Sequence, residues 1–255
     1  MIALGAQLYT IREFTQTPED IEASLRKIHD LGFTTIQISG FGYMEPRRLA
    51  DLVEELQFDV CCTHSPYDRM RHDLDHLIEE HKMMHCDTIG LGMMPREYQG
   101  SAENLRRFLA DIAPVAREIK AAGLQFAYHN HNVEFENWDG LRPMDVLIQE
   151  TDPKDFNFIL DTYWLQMGGV SPTDYIRKVK DRMKVCHFKD FAVVKWTPTI
   201  AEIGGGNIDF DSCFVACQDA NVQSIVIEQD TCPRDPFDCL RASFVNLKAI
   251  ASRHQ

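Results

Sequence analysis

The hydrophobic positions of this chain follow two periods that take turns. Short apolar or alternating runs occupy 2–9 (IALGAQLY), 34–39 (TTIQIS), 58–65 (FDVCCTHS), 87–93 (DTIGLGM), 125–131 (QFAYHNH), 157–163 (NFILDTY), 183–188 (MKVCHF) and 224–228 (SIVIE). Their length and β-branched content predict buried strands. Between them lie stretches with apolar residues three and four apart. The first is opened by Thr17-Pro18-Glu19-Asp20, carries Ile21, Leu25, Ile28 and Leu31, and stops at Gly32. Thr17 can cap, Pro18 suits the first turn, and the two acids complement the helix dipole. Similar patterns predict helices over 45–56, 69–85, 101–122, 143–150, 172–180, 210–220 and 237–252.

Eight strand-then-helix units, with no linker or composition break, predict a parallel sheet closed into a (β/α)8 barrel, with residues 1–255 forming one domain. An open doubly wound sheet would usually place a glycine fingerprint after its first strand. Leu8-Tyr9-Thr10-Ile11 offers none.

Composition sets limits on this picture. The chain is 44% hydrophobic and 25% charged, ordinary for a globular protein, and its net charge of −13 lacks the basic stripe that neutralises nucleic-acid phosphates. No run approaches the 18 apolar residues of a membrane span, and the first residues lack the pattern of a secretory signal. Eight cysteines without a Cys-x-x-Cys pair, several inside strand-like runs, fit buried reduced thiols. The expectation is a cytoplasmic protein that binds neither nucleic acid nor membrane, with self-association left open.

Chemistry is concentrated where the strands end. Side chains on a strand alternate between faces, so His129 and His131 share a face with Ala127. Asp161, His187 and Glu228 likewise follow Ile159, Val185 and Val226 by two places. The earlier residue of each pair would fill the barrel and the later one would cap it at the C-terminal mouth. Four nitrogen and oxygen donors aimed into one mouth, His129, Asp161, His187 and Glu228, form a shell for a divalent metal. Mn²⁺, Co²⁺ and Zn²⁺ fit this shell ahead of Fe²⁺ and Mg²⁺.

The segments Leu160-Asp161-Thr162-Tyr163-Trp164, His187-Phe188-Lys189-Asp190, Gly204 to Phe210 (GGGNIDF) and Ile227-Glu228 resemble the sugar phosphate isomerase/epimerase superfamily of xylose isomerase-like TIM barrels. The opening Gly5-Ala6-Gln7-Leu8-Tyr9 and the Thr63-His64 strand end fit the same likeness. It implies a divalent ion held by Glu, Asp, His and Glu from the last four strands. Asp161, His187 and Glu228 match three of these, and His129 stands where the first glutamate is usual. The Tyr128-His129-Asn130-His131 strand is similar to a branch that includes inosose dehydratase-like proteins. The likeness implies an isomerase or epimerase of a keto-sugar or cyclitol that works through an enediolate. A dehydratase or lyase of such a substrate is the alternative.

In either case Glu228 is the expected base, with His129 or His131 as its partner on the other substrate face, and either imidazole could be the ligand. His64 could hydrogen-bond a sugar hydroxyl, Trp164 could wall a sugar face, and Lys189 could neutralise an enediolate or carboxylate. Glu134 could orient an imidazole from behind. The Gly204 to Gly206 loop lies where many barrels bind phosphate, but contains no Lys or Arg, so phosphate is not expected there. The histidines at 72, 76, 81 and 85 read as a solvated helix face. Two rivals are an endonuclease IV-like phosphodiesterase and a sugar-binding barrel without catalysis. The acidic charge and the single ligand quartet weigh against the first.

Overall fold

The computed structural model describes residues 1–254. Eight parallel strands close into a barrel: β1 (Ala3–Gln7), β2 (Thr35–Ile38), β3 (Asp59–His64), β4 (Thr88–Leu91), β5 (Gln125–His129), β6 (Phe156–Asp161), β7 (Val185–Phe188) and, after a hairpin, β10 (Ser224–Ile227). β10 pairs with both β7 and β1, which completes the ring. The strands are buried on both faces, which is why their sequences run nearly continuously apolar rather than alternating. Around them pack α1 (Pro18–Asp30), α2 (Pro46–Glu55), α3 (Tyr67–His72), α4 (Leu74–Met83), α5 (Ala102–Ala121), α6 (Pro143–Glu150), α7 (Thr162–Met167), α8 (Pro172–Lys178), α9 (Phe210–Asp219) and α10 (Pro236–Arg253).

Two hydrophobic layers result. The larger lies between strands and helices, where Phe33 stacks on Phe244. The smaller lies inside the barrel and consists of Cys62, Ala127, Ile159, Val185 and Val226. Four of these are the residues two places before the strand-end donors, so strand parity is as the sequence implies. All eight cysteines are free.

Several elements differ from the sequence reading: the first strand ends at Gln7 rather than Tyr9, the fourth at Leu91 rather than Met93, and the fifth at His129 rather than His131. The helix expected over 69–85 is two helices, broken at Asp73 (φ −146°, ψ 33°). Arg69 bridges the break, donating to the carboxylates of Asp73 (2.7 Å) and Glu80 (2.7 Å). The four histidines of this segment do not share a solvated face. His81 is buried, with Nε2 2.8 Å from Thr63 Oγ1 and Nδ1 donating to Leu77 O at 2.7 Å.

The sixth strand ends at Asp161 rather than running to 163, because Asp161 Oδ1 accepts from Trp164 N (3.0 Å) and starts α7. Finally, the connection from β7 to α9 contains an antiparallel hairpin, β8 (Asp190–Val194) and β9 (Thr197–Ala201). The glycines beyond it wrap around its first residue. Asp190 Oδ1 accepts from Phe191 N and Ile208 N, and Oδ2 from Gly204 N and Gly206 N, at 2.8–3.2 Å. A carboxylate of the chain itself thus fills the nest of amides that elsewhere holds phosphate. A Cβ on Gly206 would lie 2.2 Å from Phe191 O, so this turn requires glycine.

Candidate metal centre at the barrel mouth

Parity brings four side chains from β5, β6, β7 and the end of β10 to one point. His129, Asp161, His187 and Glu228 are all buried, and one donor atom from each lies within 4.8 Å of the others. His129 Nε2 is 3.6 Å from Asp161 Oδ2 and 4.0 Å from Glu228 Oε2. His187 Nδ1 is 2.9 Å from Glu228 Oε2 and 3.9 Å from Asp161 Oδ2.

The second nitrogen of each imidazole fixes which one faces the cluster. His129 Nδ1 lies 3.0 Å from Gly92 O, a carbonyl that can only accept, so the proton is on Nδ1 and the lone pair is on Nε2. His187 Nε2 lies 2.7 Å from Gln37 Oε1, and its Nδ1 faces the cluster in a hydrogen bond to Glu228 Oε2 (2.9 Å). His129 Nε2 and Asp161 Oδ2 are buried without any hydrogen-bond partner. An unpaired imidazole nitrogen and an unpaired carboxyl oxygen converge beside the His187–Glu228 hydrogen bond, and buried polar atoms rarely stay unpaired. The donor set and its outer support suit a divalent cation.

Electrostatics supports the same fit. Burial pushes Asp161 up, Lys189 opposes this and Glu228 reinforces it, so its carboxyl sits well above the carboxylate range. Burial also acts on Glu228, but the Lys189 ammonium and His187 outweigh it and hold Glu228 well below. With one ammonium between two buried carboxyls, one ionises and the other keeps its proton. A further dication would let both ionise.

The other sequence-predicted residues fall into three groups. His64, His131 and Lys189 line a cavity of about 550 Å³ above the cluster, together with His129 and Glu228. The paired part of β5 stops at His129, but His131 still reaches this cavity, its ring 4.9 Å from that of His129. His64 Nε2 and His131 Nδ1 have no partner. Burial pushes the two imidazoles down, to about 3 for His64 and about 4 for His131, so both are neutral near pH 7. Gly92 matters here as a glycine, since a Cβ would lie 3.0 Å from the His64 ring.

Trp164 lies beside the cavity, its ring 4.9 Å from His131 and 4.8 Å from Lys189 Nζ. Glu134 does not face the cavity. Its Oε1 accepts from Tyr128 Oη at 2.5 Å and its Oε2 from the main-chain N–H of His131 at 2.7 Å. It therefore holds the backbone that carries His131 rather than an imidazole, and burial pushes its carboxyl up to about 7.

Three participants were not singled out in the sequence. Gln37 orients His187, Gln7 Nε2 donates to Glu228 Oε1 at 3.1 Å, and Asp230 Oδ2 accepts from Lys189 Nζ at 2.5 Å. Asp230 was within reach of the parity argument, two places beyond Glu228. The glutamines were marked only by being polar within short buried strands.

A (β/α)8 barrel with a buried cluster of His, Asp and Glu side chains at the C-terminal ends of its strands is the class of protein that fold and site define. Residues 25–239 match the profile of the xylose isomerase-like TIM barrel family, and the chain belongs to that family. It is 28% identical over 155 residues to an inosose dehydratase of Lacticaseibacillus casei, an alignment covering 53% of this chain and 50% of the relative. The chain thus spans about half the length of the curated relatives it matches. A sugar phosphate isomerase/epimerase of Parabacteroides distasonis superposes with a TM-score of 0.81 at 22% identity, over 97% of this chain and 98% of that one. The IOLI protein with a bound zinc atom superposes with a TM-score of 0.76 at 11% identity, over 100% and 99%. At such identities the two structures show a shared fold. No helix among the described residues is long and apolar enough to cross a membrane.

Proposed function

We propose that this chain, acting as one domain over 1–255, is a divalent-metal-dependent isomerase or epimerase of a keto-sugar or cyclitol. Its chemical step is removal of the proton beside the substrate carbonyl. The observation that carries this reading is the pair of imidazoles, held from behind by Gly92 O and Gln37 Oε1, meeting the carboxyl groups of Asp161 and Glu228 at the base of an open cavity. A divalent ion held by His129, Asp161, His187 and Glu228 would supply Lewis acidity toward a carbonyl and its neighbouring hydroxyl.

The chain's own groups do the rest. Glu228, ionised and steadied by Gln7, takes the proton from carbon on one face of the substrate. His131 and His64, neutral and lining the cavity, orient the substrate hydroxyls while Glu228 returns the proton to the neighbouring carbon. Lys189, held protonated by Glu228, Asp161 and Asp230 against the effect of burial, offsets the negative charge that develops on the substrate oxygens. Trp164 walls one side, and Glu134 keeps His131 in place through its main chain.

Dehydration is the second reading, and His129 favours it. With an imidazole in place of a carboxylate ligand, proton transfer by two opposed carboxylates is lost. The likeness to inosose dehydratase points the same way. Glu228 would take the α-proton as before and pass it to the departing β-hydroxyl, so that C–H and C–O bonds break, water leaves and Glu228 is ionised again.

The test is elemental analysis of the purified protein beside His187→Ala and Glu228→Ala, followed by incubation of keto-sugars and keto-cyclitols in D₂O. About one divalent ion per chain, lost in both variants, is expected from four converging donors. Deuterium gained without loss of water marks isomerisation or epimerisation, and loss of water marks dehydration. A parent that holds no divalent ion after supplementation would sink both readings.

A further inference from the structure

The hairpin β8–β9 ends in an unusual way. Its two-residue loop, between Val194 and Thr197, is Lys195-Trp196, with φ of +48° and +71°. Loops with both central residues at positive φ normally use Asn-Gly, and a bulky residue there is strained. The strain holds the indole of Trp196 in solvent, 99% exposed, next to Val193 and Val194 at 54% and 50%. The hairpin forms its own two-stranded sheet, and only its base is packed, through Phe191 against Tyr163 (6.1 Å between ring centres). Such a ribbon is marginal without a surface to lie on. A strained loop that displays the side chain most often found as a binding anchor points to docking.

A matching surface lies elsewhere on the same chain. Between α2 and α4 runs a groove of about 770 Å³. Phe41, Leu49, Met83 and Met84 give it an apolar lining. Its charged groups give a net negative lining: Arg69 bridges Asp73 and Glu80, Glu79 pairs with Lys82 at the edge, and Glu45 caps α2 with its carboxylate. The hairpin tip offers the complement: three apolar side chains and one lysine.

Placement selects the partner. The hairpin leaves the C-terminal end of β7, and the groove is built from the loops and helices that leave the C-terminal ends of β2 and β3. Around the closed barrel β7 and β3 are four strands apart, on opposite sides. A two-fold axis perpendicular to the barrel axis therefore brings each hairpin to the other chain's groove at once, in two identical contacts that close on themselves. We propose that this face pairs with a second copy of the chain, each Trp196 entering the α2–α4 groove of its partner. Pro66 lines both the groove and the barrel-mouth cavity, so the docked indole borders the substrate entrance.

Sedimentation velocity of the full chain over a concentration series tests this, using wild type, Trp196→Ala and Met83→Lys. Both substituted side chains are exposed, so each variant should fold, and circular dichroism verifies that it has. Wild type is expected to dimerise, and each variant to do so about thirtyfold or more weakly, the size of a hot-spot loss. An equimolar mixture of the two variants should dimerise better than either alone, because one intact hairpin then meets one intact groove. A wild type that stays monomeric, a dimer indifferent to both changes, or a mixture no stronger than its components would each overturn the pairing. Burial of Trp196 on ligand binding in a monomer, seen as a blue shift of its emission, would also overturn it and assign the hairpin to its own barrel mouth.

Discussion

His129 and His187 present opposite ring nitrogens to the same point, and each orientation depends on one acceptor behind the ring. The acceptor for His129 is a main-chain carbonyl and cannot be removed by substitution. That for His187 is the Gln37 side chain, contributed from the far side of the barrel 150 residues away. Gln37→Leu should therefore free the His187 tautomer and weaken metal binding about 10–100-fold, as loss of such outer partners typically does. Titration against a competing chelator would measure this, and an unchanged affinity would show that Gln37 does not tune the ligand. The donor quartet itself was legible in the sequence because a strand allows only two side-chain directions. Gln37 was not, since its partner depends on how the barrel closes.

At the scale of elements, the eight alternating units were readable from periodicity, while the interruptions within them were not. The break at Asp73 leaves apolar residues at helical spacing on both sides, so the sequence pattern runs through it. The hairpin lies wholly inside a connection that the strand–helix alternation leaves unassigned, and Asp190 at its base satisfies amides as far ahead as Ile208. His81 shows how a tertiary contact changes what a helix position means. Counted among exposed neighbours, it instead packs against Thr63 of β3, and burial lowers its pKa to about 4. Its unfolded value is near 6.5, so the unfolded chain binds the proton more readily between those two values. The contribution of neutral His81 is complete above pH 6.5 and is lost as the pH falls toward 4, about 2 kcal/mol of it by about pH 5. Urea unfolding of wild type and His81→Gln should show the stability gap between them narrowing by about that amount from pH 8 to about pH 5. A gap independent of pH would mean that His81 takes up its proton equally readily in the folded and the unfolded chain.

For the molecule as a whole, the mouth gathers buried carboxyls and unpaired lone pairs that hydrophobic burial elsewhere must outweigh. A divalent ion that binds only the folded barrel should stabilise it by about 2.7 kcal/mol at a hundred times its Kd. In a chain of this size that raises Tm by roughly 5–10 °C. Thermal unfolding with metal and with chelator measures the difference, which should vanish in His187→Ala. A persisting response would place the ion elsewhere. The pairing of Ala127 with His129, Ile159 with Asp161, Val185 with His187 and Val226 with Glu228 has one more consequence. A one-residue slip in any of these strands would turn its donor out of the barrel and into the helix layer. The quartet can assemble only when four strand registers are right together, so an ion captured there would also proofread the closure of the barrel.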